Sequence, residues 1–109
     1  MFSIEDRIFI GGALIEIENA LGLSVTYLYE NKEKFPQSHM DNLLKKTKVH
    51  REALSYFFNT FCPNFGLNAD NIQAFKNEYR SLDARYIPTL VKSAKFNRVD
   101  IFGNHVSKL

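Results

Sequence analysis

Three apolar stripes at three- and four-residue spacing constrain this chain more than any other feature. Ile10, Leu14, Ile17 and Leu21 form the first, which Val25 and Leu28 continue. Met40, Leu43, Thr47, His50, Leu54, Phe57 and Phe61 form the second, and Ile72, Phe75, Tyr79, Leu82 and Tyr86 the third. A side chain that returns to one face about every 3.6 residues marks a helix with one buried side. The first stripe predicts one long helix or two joined near Gly22, with Ser3 and Asp6 offering its start cap. Val25-Thr26-Tyr27-Leu28-Tyr29 has the β-branched and aromatic composition of a strand, but the unbroken stripe favours helix there. The second stripe predicts a helix from about Ser38 to Phe61. The third predicts a helix that opens near Asn68 and kinks or ends at Pro88.

Between the stripes, Phe35-Pro36-Gln37 reads as a turn and Cys62-Pro63-Asn64-Phe65-Gly66 as a loop. Thr89 to Phe96 can resume as a helical turn or two, and Ile101, Phe102, Val106 and Leu109 are left to pack a short final segment. Short connections place neighbouring helices side by side and opposed. The expected fold is therefore all-α: an antiparallel bundle of three long helices plus a short C-terminal helical segment, with residues 1–109 as one domain. Its expected core is Ile10, Leu14, Ile17, Leu43, Leu54, Phe57, Phe61, Ile72, Phe75 and Leu82.

Composition excludes several classes. With 45% hydrophobic and 24% charged residues the chain has enough apolar surface to fold, so disorder is not expected. The longest apolar run, Ile8 to Ile15, falls far short of the roughly 20 residues a membrane span requires. Glu5 and Asp6 ahead of it make a poor signal peptide. The lone Cys62 admits no intramolecular disulfide, which fits a reducing compartment; the expectation is a cytoplasmic protein that avoids membranes. There are no paired cysteines, no histidines at helical spacing and no acidic calcium loop, so neither a metal nor a cofactor is expected.

Other polar features have plain structural readings. Gly11-Gly12 lacks the lysine and further glycines of a nucleotide loop and reads as close packing between helices. Glu16 and Glu18 are too close in sequence to share a helix face as an acid/base pair. His50 lies on the second stripe as a core histidine, and Cys62 has no neighbouring histidine to activate it. Charge is uneven along the chain: Glu5, Asp6, Glu16, Glu18, Glu30 and Glu33 outweigh Arg7, Lys32 and Lys34 in the first third, and the rest is basic. Lys45, Lys46, Lys48 and Arg51 form one basic cluster, and Lys92 and Lys95 lead to Arg98 in another. Such clusters either solvate a helix face or meet nucleic-acid phosphates.

The end of the chain carries the one constellation with chemistry in it, Asn97-Arg98-Val99-Asp100-Ile101-Phe102-Gly103-Asn104-His105. A permanently charged guanidinium can hold a phosphate, and an imidazole that titrates near neutrality can move a proton. Arg98 and His105, behind a helical domain with Phe75-Lys76-Asn77-Glu78-Tyr79 and Tyr86, resemble the arginine and histidine motif of the HEPN superfamily, in its abortive-infection branch. The resemblance implies a metal-independent endoribonuclease, a toxin or phage-defence protein, working as a homodimer that brings two motifs into one cleft. His105 would deprotonate a ribose 2′-hydroxyl or protonate the leaving oxygen, Arg98 would stabilise the charge on the scissile phosphate, and Asn104 or Asp100 would orient the imidazole. The RNA product would end in a 2′,3′-cyclic phosphate. Against this stands a structural reading, in which Arg98 pairs with Asp100 or a helix end and His105 is a solvated tail residue. Two further functions compete: a non-catalytic protein-interaction module that exposes Tyr27, Tyr29, Tyr56 or Phe65, and a nucleic-acid binder that uses its lysines without cleavage.

Overall fold

A computed structural model describes residues 2–32 and 48–104, and every regular element among them is helical. The order is α1 (Ile4–Leu21), α2 (Val25–Glu30), α3 (Lys48–Tyr56) with a π-turn over Phe57–Phe61, α4 (Cys62–Phe65), α5 (Ala69–Ser81), α6 (Ile87–Lys92) and α7 (Arg98–Phe102). The all-α expectation holds for these residues. They do not show three long regular helices: α1 has 18 residues and α5 has 13, the nine-residue α3 passes into a π-turn within a helical path from Lys48 to Phe65, and the rest are short. The predicted stretch from Ser38 to Thr47, with Leu43, lies outside the described residues.

α1 starts at its expected cap. The Ser3 hydroxyl accepts from Asp6 N, and the chain leaves the helix at Gly22, whose φ of 69° requires a residue without a Cβ. This breaks the first stripe into two helices, and Ser24 caps the second. Asp6 is buried; one carboxylate oxygen takes the backbone N–H groups of Lys95 and Phe96 at 2.7 and 3.3 Å, and the other takes the Ser3 hydroxyl at 2.9 Å. The start of α1 thereby holds the segment that leads into α7.

α1 crosses α5 at Gly11. A Cβ there would lie 2.2 Å from the Phe75 carbonyl oxygen, so only glycine lets the two backbones meet. Beside the crossing, Lys76 is buried and its ammonium bonds Glu18 Oε2; Glu18 also accepts from Val25 N at 2.7 Å and from Arg80 Nη2 at 3.3 Å. One carboxylate thus secures the α1–α2 break and the α1–α5 crossing together. Ile10, Leu14, Ile17, Leu54, Phe57, Phe61, Ile72 and Phe75 are all buried as expected, and Ile101 and Phe102 of α7 close the core beside Phe57.

Three local expectations are overturned. The segment Cys62–Phe65 is not a loop: the backbone stays right-handed helical from Tyr56 through the π-turn into α4, and Pro63 follows directly on the π-turn, whose last bond runs from Cys62 N to the Phe57 carbonyl. The π-turn adds Phe58 to the buried face along with Phe57 and Phe61. Pro88 does not end the third helix but sits in the first turn of α6; α5 stops at Ser81, leaving Leu82 half-buried and Tyr86 exposed. Arg85 forks onto Asp83 through backbone and side chain, which fixes the turn between the two helices. His50 is half-buried instead of lying in the core.

Candidate functional site

Arg98 is the first residue of α7. Asn97 and Asp100 cap that helix reciprocally, the Asn97 amide oxygen accepting from Asp100 N at 2.9 Å and Asp100 Oδ2 from Asn97 N at 2.8 Å. The Arg98 guanidinium does not turn to Asp100. Its Nη1 bonds Glu16 Oε2 on α1 at 2.7 Å, with 38% of the arginine side chain and 64% of the glutamate exposed. The pair borders a shallow groove of 360 Å³ between α1, α5 and α6, where Gly12, Asn19, Tyr79 and Val91 also contribute. α7 ends at Gly103, whose φ of 77° and contact with the Tyr56 ring leave no room for a side chain. Asn104 comes next, while His105 lies outside the described residues, so the Arg98–His105 geometry is not defined. An arginine held this way can receive a phosphate only by sharing or releasing Glu16.

The basic clusters are similarly placed. Lys48 stands on the exposed side of α3, 4.0 Å from Glu52, and Arg51 is half-buried on the same helix; Lys45 and Lys46 lie outside the described residues. Lys92 and Lys95 are exposed on either side of the loop after α6. Cys62 is buried, and desolvation pushes its thiol up to about 12, far from the thiolate a nucleophile needs. Among the described residues no group of three or more metal-ligating side chains converges. No helix among them is long and apolar enough to cross a membrane.

The feature that the sequence stripes do not reveal is a cleft of 470 Å³ walled by Phe2, Phe65, Leu67, Phe75 and Phe96. Phe2 sits at its centre, with ring centroids 5.4 Å from Phe65, 5.6 Å from Phe75 and 5.4 Å from Phe96. Phe61 backs this wall, 4.7 Å from Phe65 and 5.6 Å from Phe96. Phe65 is nevertheless 48% exposed. Two polar side chains border the cleft, Arg7 and Asn71. Arg7 donates through Nε to both oxygens of Glu78, at 3.0 and 2.9 Å, and through Nη1 to the Phe2 carbonyl at 2.9 Å. The rings come from four separate segments, Phe2 and Phe96 lying off every stripe, so spacing within one helix carries no sign of the site. Ten phenylalanines in 109 residues are the available signal.

No protein-family model, curated protein or solved structure matches the chain, so its function rests on these side chains.

Proposed function

We propose that this domain acts by binding, and that it receives an apolar group of its ligand in the phenylalanine cleft. The observation that carries this reading is an open cleft of 470 Å³ with an aromatic wall, in the size range of ligand sites, in which Phe65 keeps nearly half its surface in water although other rings surround it. A solvent-facing aromatic concavity gains free energy when an apolar group displaces its water. Titration with the uncharged dye N-phenylnaphthylamine tests the reading. Its fluorescence should rise with saturation on the wild-type protein and should not rise with Phe65→Asp at an unchanged melting temperature. A dye that ignores the wild-type protein, or that binds Phe65→Asp equally well, refutes it.

The ribonuclease is the second reading, favoured by the placement of Arg98 on a groove edge with its guanidinium partly open to solvent. In that mechanism the 2′-oxygen bonds to phosphorus as the P–O5′ bond breaks, closing the 2′,3′-cyclic phosphate; His105 either takes the 2′-hydroxyl proton, with water protonating the departing 5′-oxygen, or itself protonates that oxygen, with water taking the 2′ proton, and Arg98 offsets the charge that gathers on the phosphate oxygens. Asn104 or Asp100 orients the imidazole, Lys45, Lys46, Lys48, Arg51, Lys92 and Lys95 meet the RNA backbone, and a second copy of the chain completes the cleft. RNA cleavage in EDTA, lost about 10²–10⁴-fold on Arg98→Ala or His105→Ala, is the outcome this mechanism requires. Cleavage that survives both substitutions removes it.

A further inference from the structure

We propose that the phenylalanine cleft is a site for a single-chain aliphatic carboxylate, its head group held by Arg7 and Asn71 at the polar edge. The inference rests on the binding reading above and adds the chemistry of the ligand.

The hydrogen-bond inventory of the edge decides the head group. Arg7 places Nε on Glu78 and Nη1 on the Phe2 carbonyl, which leaves its Nη2 hydrogens without an acceptor among the described residues. The Asn71 amide oxygen accepts from Asn68 N in the cap of α5, and the amide NH2 of Asn71 makes no hydrogen bond among the described residues. Leu67, on the wall, has its carbonyl occupied by the Tyr29 hydroxyl at 3.2 Å. The edge therefore has donors in hand, beside a guanidinium whose charge the partly exposed Glu78 offsets only in part. A head group that only accepts and carries negative charge matches it, which is the description of a carboxylate. An ammonium head at these donors would meet the guanidinium charge, with the nearest carboxylate, Glu78, already forked by Arg7 Nε.

The wall decides the body. Phe2, Phe65, Leu67, Phe75 and Phe96 offer no side-chain polar atom, so a peptide laid along them would leave the N–H and C=O groups that face the wall without side-chain partners. An alkyl chain strands nothing. Glu78 is the acid that a bound carboxylate would share Arg7 with; it is 39% exposed, so water screens the two anions from one another.

Calorimetric titration of the wild-type protein with decanoate, decanol and decylamine at pH 8 tests the proposal. Decanoate should bind about tenfold more tightly than decanol, the worth of one charge-assisted hydrogen bond, and decylamine should bind more weakly than either. Asn71→Asp keeps an oxygen to cap α5 and so keeps the fold, but it replaces the NH2 donor with a negative charge; the preference for decanoate over decanol should fall to about one. Arg7→Lys, which keeps a cation beside Glu78 but loses the guanidinium donors, should lower the preference as well. Equal binding of decanol and decanoate, or an undiminished preference in Asn71→Asp, overturns the carboxylate site and leaves the apolar cleft standing. If none of the three ligands binds, the binding reading falls with it.

Discussion

The crossing of α1 and α5 and the aromatic cleft beside it are both built from α1, α5 and their flanks, yet they tolerate change very differently. At the crossing, one glycine hydrogen faces a carbonyl and one carboxylate serves two cations and a backbone N–H, so each atom has a single acceptable arrangement. In the cleft, rings lie 4.7 to 6.1 Å apart at interplanar angles from 35° to 87°, and the wall is left open to water. Backbone contact and buried charge specify a structure narrowly, because misplacing them clashes or leaves a charge unpaired. Phenylalanines packed at such varied angles specify only that the region be apolar. A domain can thus fix its framework at one place and keep a receptive surface at another.

The sharpest way to break the contrast is at Glu18. Glu18→Ala leaves the Lys76 ammonium buried without its partner and Val25 N without an acceptor, and should cost about 3–5 kcal/mol in urea unfolding. Pairing Glu18→Gln with Lys76→Met removes the charge and retains an acceptor, so the double variant should lose clearly less than Glu18→Ala alone. Next comes Gly11→Ala, which drives a Cβ into the Phe75 carbonyl and should cost about 2–3 kcal/mol despite alanine's better helix propensity. Gly12→Ala meets only the Tyr79 ring, which can swing aside, and should cost less than Gly11→Ala in the same measurement. A larger loss at Gly12 would mean that the backbones do not meet where the crossing places them.

On the cleft side the effects should be small. Phe65→Ala removes a half-exposed ring and should lower stability by about 1–2 kcal/mol, below the roughly 3–5 kcal/mol of a fully buried phenylalanine. Cys62, behind the cleft, gives a pH signature. Its thiol is raised from 9.0 to about 12 in the folded protein, so the native state holds a proton that the unfolded state releases. This contribution is complete below pH 9 and is lost as pH climbs from about 9 to 12. Alkaline unfolding of Cys62→Ala should therefore show a shallower loss of stability over that window than the wild type, and wild-type Cys62 should resist iodoacetamide until the protein unfolds.

Legibility in the sequence divides along the same line. Ile10, Leu14 and Ile17 are legible as core because helical spacing repeats within one element. The glycine pair is legible as close packing, since two adjacent small residues in an apolar stripe leave a hole that another backbone can fill. Pro63 and Pro88 are ambiguous, because proline ends a helix or begins one and the residues C-terminal to it decide which. Lys76 gives no sign of burial: a lysine beside a stripe ordinarily reaches water, and its partner Glu18 is 58 residues away. The cleft is illegible for the same reason, as Phe2, Phe65, Phe75 and Phe96 converge only in three dimensions. Arg98 pairs with Glu16, 82 residues distant, where local reasoning offers Asp100 or a helix end.

The two hydrogen bonds from Lys95 and Phe96 to Asp6 bear on how the protein is made. They join positions 89 and 90 residues apart, so the first turn of α1 waits for its ligands until almost the whole described chain has been synthesised. At a ribosome's pace of about 5–20 residues per second, α1 emerges several seconds before the segment that satisfies its buried carboxylate. During that interval Asp6 remains hydrated, and until Ser81 has been added the apolar face of α1 has neither α5 nor α6 to cover it. Nascent chains arrested and released short of Ala69 should therefore be protease-sensitive along α1, and those ending between Lys92 and Lys95 should still be cut near Asp6, which lacks its backbone donors.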